Sequence, residues 1–241
     1  MPAHFYIDLA NQDPSTLVNT QLELDAERSN YVCRVMRLKV GQLLRCFGGN
    51  GSQFDAEILS ASSKACRLRI NKITQYLPPP TNKLSVGFSL LKGQAQDRAL
   101  AQSVELGVTH IYLFASQFSN VKLNPERLEK KISHWHRVII AAAEQCNQSH
   151  LPALTITTLV DLFDQHQSVI ALVPNQPTLP TNLPVCDRLV LIGPEGGWSN
   201  EELALFTQQN CEEYGLGPRI LRAETVPAVA LALVQQAQGW V

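Results

Sequence analysis

"LIGPEGGWSNEE", Leu191 to Glu202, is an aliphatic run that stops at Gly-Pro-Glu-Gly-Gly and passes into a polar, helix-starting stretch. The residues before the turn, "DRLVLIG", read as a strand, and those after it, "SNEELALFTQQN", read as a helix. Ser199 stands where a helix N-cap belongs, and Glu202 three residues on completes a capping-box pattern. A near-continuous apolar strand followed by a helix is the unit of a parallel sheet covered on both faces. Gly193, Gly196 and Gly197 carry no side chains, so backbone amides there can approach a ligand closely, and Pro194 fixes the turn. In open parallel sheets ligands bind outside the carboxyl ends of the strands, where this turn falls. The glycine spacing is neither G-x-G-x-x-G nor G-x-x-x-x-G-K-[ST], which disfavours a Rossmann dinucleotide site and a P-loop. A tight strand-to-helix turn that binds nothing would carry the same residues.

The same alternation extends to both sides. "LSVGFSLL", "THIYLFAS" and "SVIALVP" read as further strands. "GQAQDRALAQSVELG" reads as a helix closed by Gly107. "NPERLEKKISHWHRVIIAAAEQC" reads as a long helix with Pro125 in its first turn, and "TVPAVALALVQQAQ" as the last helix. "YGLGPRILRAET", Tyr214 to Thr225, is a second glycine-proline loop. It holds Arg219 and Arg222 three residues apart, with Glu224 close by. An arginine can grip an anionic group or stabilise developing negative charge, and a neighbouring carboxylate can orient it or accept a proton. An ordinary surface ion pair is the other reading. Two such loops after separate strands point to a shared pocket.

"YLPPPTNKL", Tyr76 to Leu84, breaks the chain, because three consecutive prolines fit neither a helix nor a central strand. The expected division is a first domain over 1–75, a linker over 76–80 and a second domain over 81–241. Ahead of the break "HFYI", "TQLEL", "QLLRCF", "SQFDAEIL" and "CRLRINKI" are strand-like, with "GGNG" (Gly48 to Gly51) as a hairpin signal. One helix, "AERSNYVCRVMRL", interrupts them. The pattern suggests a small barrel with a helix. Arg28, Arg34, Arg37, Lys39 and Arg45 crowd one short region, with Arg34 and Arg37 on one helix face if that helix is continuous. Local positive charge of this kind can grip phosphates, although a solvated face has the same composition.

The 241 residues are 45% hydrophobic and 17% charged with a net charge of -1, which supports a sizeable core and argues against long disordered tails. Residues 1–76 hold nine Lys and Arg against seven Asp and Glu, a net of +2; residues 77–241 hold eleven against fourteen, a net of -3. None of the six cysteines forms a C-x-x-C pair and no histidine cluster stands beside them, so no metal is expected. The start shows no basic region followed by an apolar run, and no apolar stretch approaches the ~18 residues of a membrane span. The expectation is a cytoplasmic protein with reduced thiols and no membrane partner.

"LIGPEGGWSNEE" followed by "LGPRILRAET" resembles the SPOUT-class RNA methyltransferases. With "LKGQAQDRALAQSVELGV", "IIAAAEQC" and "RVMRLKVGQ" in the same order, the chain is most similar to the RsmE family, the small-subunit (16S) ribosomal RNA uridine-N3 methyltransferases. The resemblance implies an N-terminal PUA-like β-barrel for RNA and a C-terminal α/β domain with a deep trefoil knot, an exception to the rule that chains do not thread. It implies a homodimer acting on ribosomal RNA. It also implies S-adenosylmethionine held by backbone groups of three loops. These correspond to Leu172, Val173 and Pro174; Ile192, Gly193, Pro194, Glu195, Gly196 and Gly197; and Leu216, Gly217, Pro218, Arg219, Ile220 and Leu221. Arg222 is then the expected cation beside the target base, Glu224 the expected base or orienting group, and Arg28, Arg34, Arg37, Lys39 and Arg45 the expected RNA contacts.

The chain departs from the family pattern at Ser29 and Asn30, Gln102, Gln117 to Asn120, Asn147 to Ser149, and Val226. Several of these are positions where the family carries basic residues, while the glycine loops are intact. Two alternatives therefore remain at this level: a non-catalytic RNA-binding or ribosome-assembly factor, and an enzyme of the same class acting on another RNA position.

Overall fold

The computed structural model describes residues 4–9, 12, 14–119, 121 and 125–240. The chain divides into two compact units. One is Met1–Pro79 with Ala143–Leu151; the other is Pro80–Ala142 with Pro152–Val241. The first unit thus takes in a segment, Ala143–Leu151, that the sequence reading assigned to the second domain. The expected linker also begins too early, since residue 76 still belongs to a strand.

In the first unit the strands are β1 (His4–Tyr6), β2 (Gln21–Glu23), β3 (Leu43–Phe47), β4 (Ser52–Ser60) and β5 (Arg67–Tyr76), in sheet order β1-β3-β4-β5-β2. β3, β4 and β5 pair antiparallel, β2 is antiparallel to β5, and β1 is parallel to β3. The β3–β4 connection is the glycine hairpin read from the sequence. Burial alternates along β4, so Phe54, Ala56 and Ile58 enter one core with Phe5, Leu44, Leu68 and Ile70. Fully burying a side chain of this size is worth about 1.5–3 kcal/mol.

The expected continuous helix over "AERSNYVCRVMRL" is not found. An α-helix, α1 (Ala26–Asn30), capped by the Asp25 side chain, passes into a wider π-turn at Tyr31–Val35. There the Met36 amide reaches back five residues to the Tyr31 carbonyl. Arg37 then takes a left-handed backbone, φ 57°, which ends the helix before Arg37 can share a face with Arg34. The second segment of this unit is joined by main-chain bonds: Gly51 N–H donates to the Ser149 carbonyl at 3.0 Å and Leu151 N–H to the Gly49 carbonyl at 2.9 Å.

The second unit holds β6 (Leu84–Ser89), β7 (His110–Phe114), β8 (Ala153–Thr157), β9 (Val169–Leu172), β10 (Arg188–Ile192) and β11 (Glu212–Tyr214) in one sheet of order β11-β9-β10-β6-β7-β8. Every pair is parallel. β6, β9 and β10 are buried at every position, as expected of strands covered on both faces. The edge strands β8 and β11 are short and only half-buried. The helices are α2 (Gln94–Glu105), α3 (Pro125–Cys146), whose last turn from Ala143 on belongs to the first unit, α4 (Leu159–Gln165), α5 (Asn200–Gln208) and α6 (Val226–Ala237).

Because β9, β10 and β11 are parallel neighbours, their carboxyl ends share one edge of the sheet. The chain leaves that edge as three loops: 173–187 after β9, 193–199 after β10 and 215–225 after β11.

Candidate active site

These three loops enclose a cavity of about 400 Å³, within the range of small-molecule sites, about 300–1,000 Å³. Leu172, Val173, Pro174 and Asn175 supply one side; Ile192 to Glu195, Gly197 and Trp198 the second; Tyr214 to Ala223, with Val226, the third. The lining is largely aliphatic side chain and backbone, with Arg219 and Arg222 as its cations.

The loops are fastened to one another by a few specific contacts. Trp198, buried between Phe114 and Phe206, donates its indole N–H to the Leu172 carbonyl at 2.8 Å, tying the β10 loop to the end of β9. A Cβ on Gly193 would stand 2.9 Å from the Trp198 ring, so the glycine makes room for the indole. Gly215 plays the same part for the third loop, since a Cβ there would meet the Gln176 carbonyl oxygen at 2.6 Å. The Val173 amide donates to the Tyr214 carbonyl at 2.9 Å. Ser199 caps α5, and the capping box with Glu202 is complete.

The residues read as cofactor loops line this cavity with one exception. Gly196 lies in the β10 turn but faces away, where a Cβ would come within 2.8 Å of the Phe118 Cβ. Ile220 lines the cavity and is 87% exposed. Arg222 lines it too. Glu224 does not: its carboxylate points to Arg98 of α2, 3.9 Å away, which moves it from candidate base to a group held by a cation. Asn175, Trp198, Tyr214, Gly215, Ala223 and Val226 join the lining without having been expected. Trp198 follows the glycines directly in "GPEGGW", so adjacency alone could have suggested it.

The basic residues of the first unit separate into two groups. Arg34, Arg37, Lys39 and Arg45 are exposed. Arg28 is engaged within the fold. Its guanidinium lies 4.0 Å from the Phe5 ring centroid, pairs with Glu144 at 3.1 Å and donates to the Tyr6 carbonyl. Arg28 is therefore a structural ion pair rather than a free phosphate contact. Ser29, one of the departures from the family pattern, is fully buried and bridges Leu24 and Cys66 by hydrogen bonds of 3.0 and 2.8 Å.

Among the described residues, no group of three His, Cys, Asp or Glu side chains could hold a metal ion, and no helix is long and apolar enough to cross a membrane.

The RNA methyltransferase domain family matches residues 78–235. The chain belongs to this family. The RNA methyltransferase PUA domain matches residues 24–71. Among relatives of this RNA methyltransferase, the ribosomal RNA small subunit methyltransferase E of Buchnera aphidicola (strain APS) is 27% identical over 226 residues, covering 90% of this chain and 88% of the relative. The protein of the same name from Synechocystis is 28% identical, covering 92% of this chain and 75% of the relative. A Legionella pneumophila methyltransferase solved in complex with the bound cofactor SAM superimposes with a TM-score of 0.88 at 28% identity, covering 98% of each chain.

Proposed function

We propose that the protein transfers a methyl group from S-adenosylmethionine to N3 of a uridine in small-subunit ribosomal RNA. The supporting observation is the convergence of three carboxyl-end loops on one cavity in a chain of the RNA methyltransferase family. The cavity suits such a donor. Gly197 and Gly217 line it with open space where a side chain would stand, the aliphatic residues Leu172, Ile192 and Leu221 offer faces for a flat ring, and loop backbone supplies polar groups. When bound, S-adenosylmethionine supplies a methyl group already activated on a sulfonium.

What remains for the protein is alignment and the acceptor's proton. N3 of uridine carries a proton and is a poor nucleophile until that proton leaves for solvent. Its loss places negative charge on the ring and its two carbonyl oxygens. Arg222, in the cavity lining, would stabilise that charge. Glu224, held by Arg98, would orient the loop carrying Arg222. N3 is also the pairing edge, so the target base must be unpaired. Arg34, Arg37, Lys39 and Arg45 would hold the RNA backbone.

On the same reading the first unit would be a PUA-like barrel, and the second, with β10 between β9 and β6 in its sheet, would carry a deep trefoil knot. The enzyme would act as a cytoplasmic homodimer. The test is calorimetry with S-adenosylmethionine, using Gly217→Trp, a cavity-lining position with open space beside it, as control, followed by nucleoside analysis of unmodified small-subunit RNA incubated with enzyme and donor. Donor binding that the control abolishes, together with N3-methyluridine in the product, is the expected result. Binding without methylation would favour a non-catalytic RNA-binding factor.

A further inference from the structure

β7 ends in a short segment, residues 115–119, whose one large side chain, Phe118, is 48% exposed. A single exposed aromatic is ordinary by itself. This one is displayed on a segment fixed at both ends. Ser116 Oγ donates to Glu202 Oε1 at 2.7 Å and the Gln117 amide donates to the same oxygen at 3.2 Å. The other oxygen, Oε2, accepts from the Ser199 amide at 2.8 Å and closes the cap of α5. On the far side, Ser119 Oγ donates to the Leu90 carbonyl at 3.1 Å, and the Ser119 amide closes a turn onto Ser116. One carboxylate thus fastens both the glycine turn of the cavity and the segment carrying Phe118.

The placement is as specific as the fastening. A Cβ on Gly196 would stand 2.8 Å from the Phe118 Cβ and 3.3 Å from its carbonyl oxygen, so the segment rests directly on the turn. The residues on either side, Glu195 and Gly197, line the cavity. The neighbours of Phe118 in sequence are polar: Gln117 is exposed and Ser119 half-buried. A flat apolar ring among polar groups matches an unpaired base, which has apolar faces and polar edges, better than it matches an extended apolar partner surface.

We propose that Phe118 is a stacking platform for an unpaired RNA base next to the one to be methylated, a specificity-determining residue held in place by Glu202. The proposal rests on the methyltransferase reading of the adjacent cavity. The ring selects for single-stranded RNA at the outer side of the turn, while the loop cations act on the acceptor base at the cavity.

The test compares the wild-type chain with Phe118→Ala and Phe118→Trp in three measurements: steady-state methyl transfer to unmodified small-subunit RNA, binding of a short oligouridylate, and calorimetry with S-adenosylmethionine. Loss of one base–aromatic stack corresponds to about 5- to 150-fold. Phe118→Ala should raise KM for RNA and weaken oligouridylate binding by a factor in that range. Donor affinity and the melting midpoint should be unchanged, and Phe118→Trp should restore both RNA readouts. Wild-type RNA affinity in Phe118→Ala overturns the proposal. So does a change of oligomeric state with RNA affinity intact, which would make the ring a protein contact. If the wild-type chain transfers no methyl group, the methyltransferase reading fails, and the oligouridylate comparison still decides the role of Phe118. A weaker Phe118→Ala complex supports the platform; equal or absent binding rejects it.

Discussion

Replacing Trp198 by phenylalanine removes one hydrogen bond and part of one ring from the wall of the cavity. The indole N–H that reaches the Leu172 carbonyl at 2.8 Å is lost. The smaller ring can still pack between Phe114 and Phe206. Leaving a buried carbonyl without its donor costs about 1–3 kcal/mol. In a chain of this length each kcal/mol lowers the melting midpoint by roughly 2–4 °C. The midpoint should therefore fall by about 2–12 °C, read by differential scanning calorimetry. Leu172 and Val173 form one side of the cavity, so a loosened carbonyl should also cost S-adenosylmethionine affinity. A tenfold loss corresponds to about 1.4 kcal/mol. A melting midpoint within 1 °C of wild type at unchanged donor affinity would show that the bond does not hold the β9 and β10 loops together.

Other perturbations test separate parts of the molecule. Arg222→Ala should lower turnover by about 10²–10³-fold with donor affinity retained, as expected for removal of one charge-stabilising group; full turnover would remove that assignment. Arg28→Ala should lower the melting midpoint, because its partners Phe5, Tyr6 and Glu144 lie within the fold. Arg34→Ala should instead weaken RNA binding and shallow its salt dependence by about 0.7–0.9 in log–log slope, measured by filter binding across salt concentrations. Gly196→Ala should force the Phe118 segment to shift, and RNA affinity should fall more than donor affinity. Acid should destabilise the second unit. Burial holds the imidazoles of His110 and His166 below their usual 6.5, with Lys83 adding to the effect on His110 and His110 to that on His166. Below pH 6.5 the unfolded chain takes up protons that the folded chain resists, so stability is full above that pH and falls beneath it. The melting midpoint should drop between pH 7 and pH 5, and the His110→Asn, His166→Asn double variant should flatten the profile.

What the sequence made legible follows from which signals are local. β6, β9 and β10 could be read because burial on both faces demands uninterrupted apolar runs. β8 and β11 escaped, because edge strands such as "ALTIT" and "EEY" need no such run. α4 escaped as well, being a single short stretch of seven residues. The two glycine-proline loops, which line the cavity, could be picked out because their backbone chemistry is written in the residues themselves. Their meeting in one cavity depends on β9 lying between β10 and β11, a matter of sheet order that no local pattern encodes. The role of Arg28 was hidden for a related reason: Glu144 lies 116 positions away. The π-turn at Tyr31–Val35 replaced an expected helix because the apolar spacing of "YVCRVM" suits either winding.

The return of Ala143–Leu151 to the first unit bears on how a nascent chain matures. Pro79 closes the first stretch of that unit, yet Glu144 and Ser149, which pair with Arg28 and Gly51, come later in the chain. Leu151 follows Pro79 by 151 − 79 = 72 residues. At a synthesis rate of about 5–20 residues per second, the ribosome adds them in about 4–14 s. For that interval Arg28 is without its carboxylate and the β3–β4 hairpin without its main-chain partners. A fragment ending at Pro79 would persist in that state, so the first unit cannot be excised from the gene as one contiguous piece.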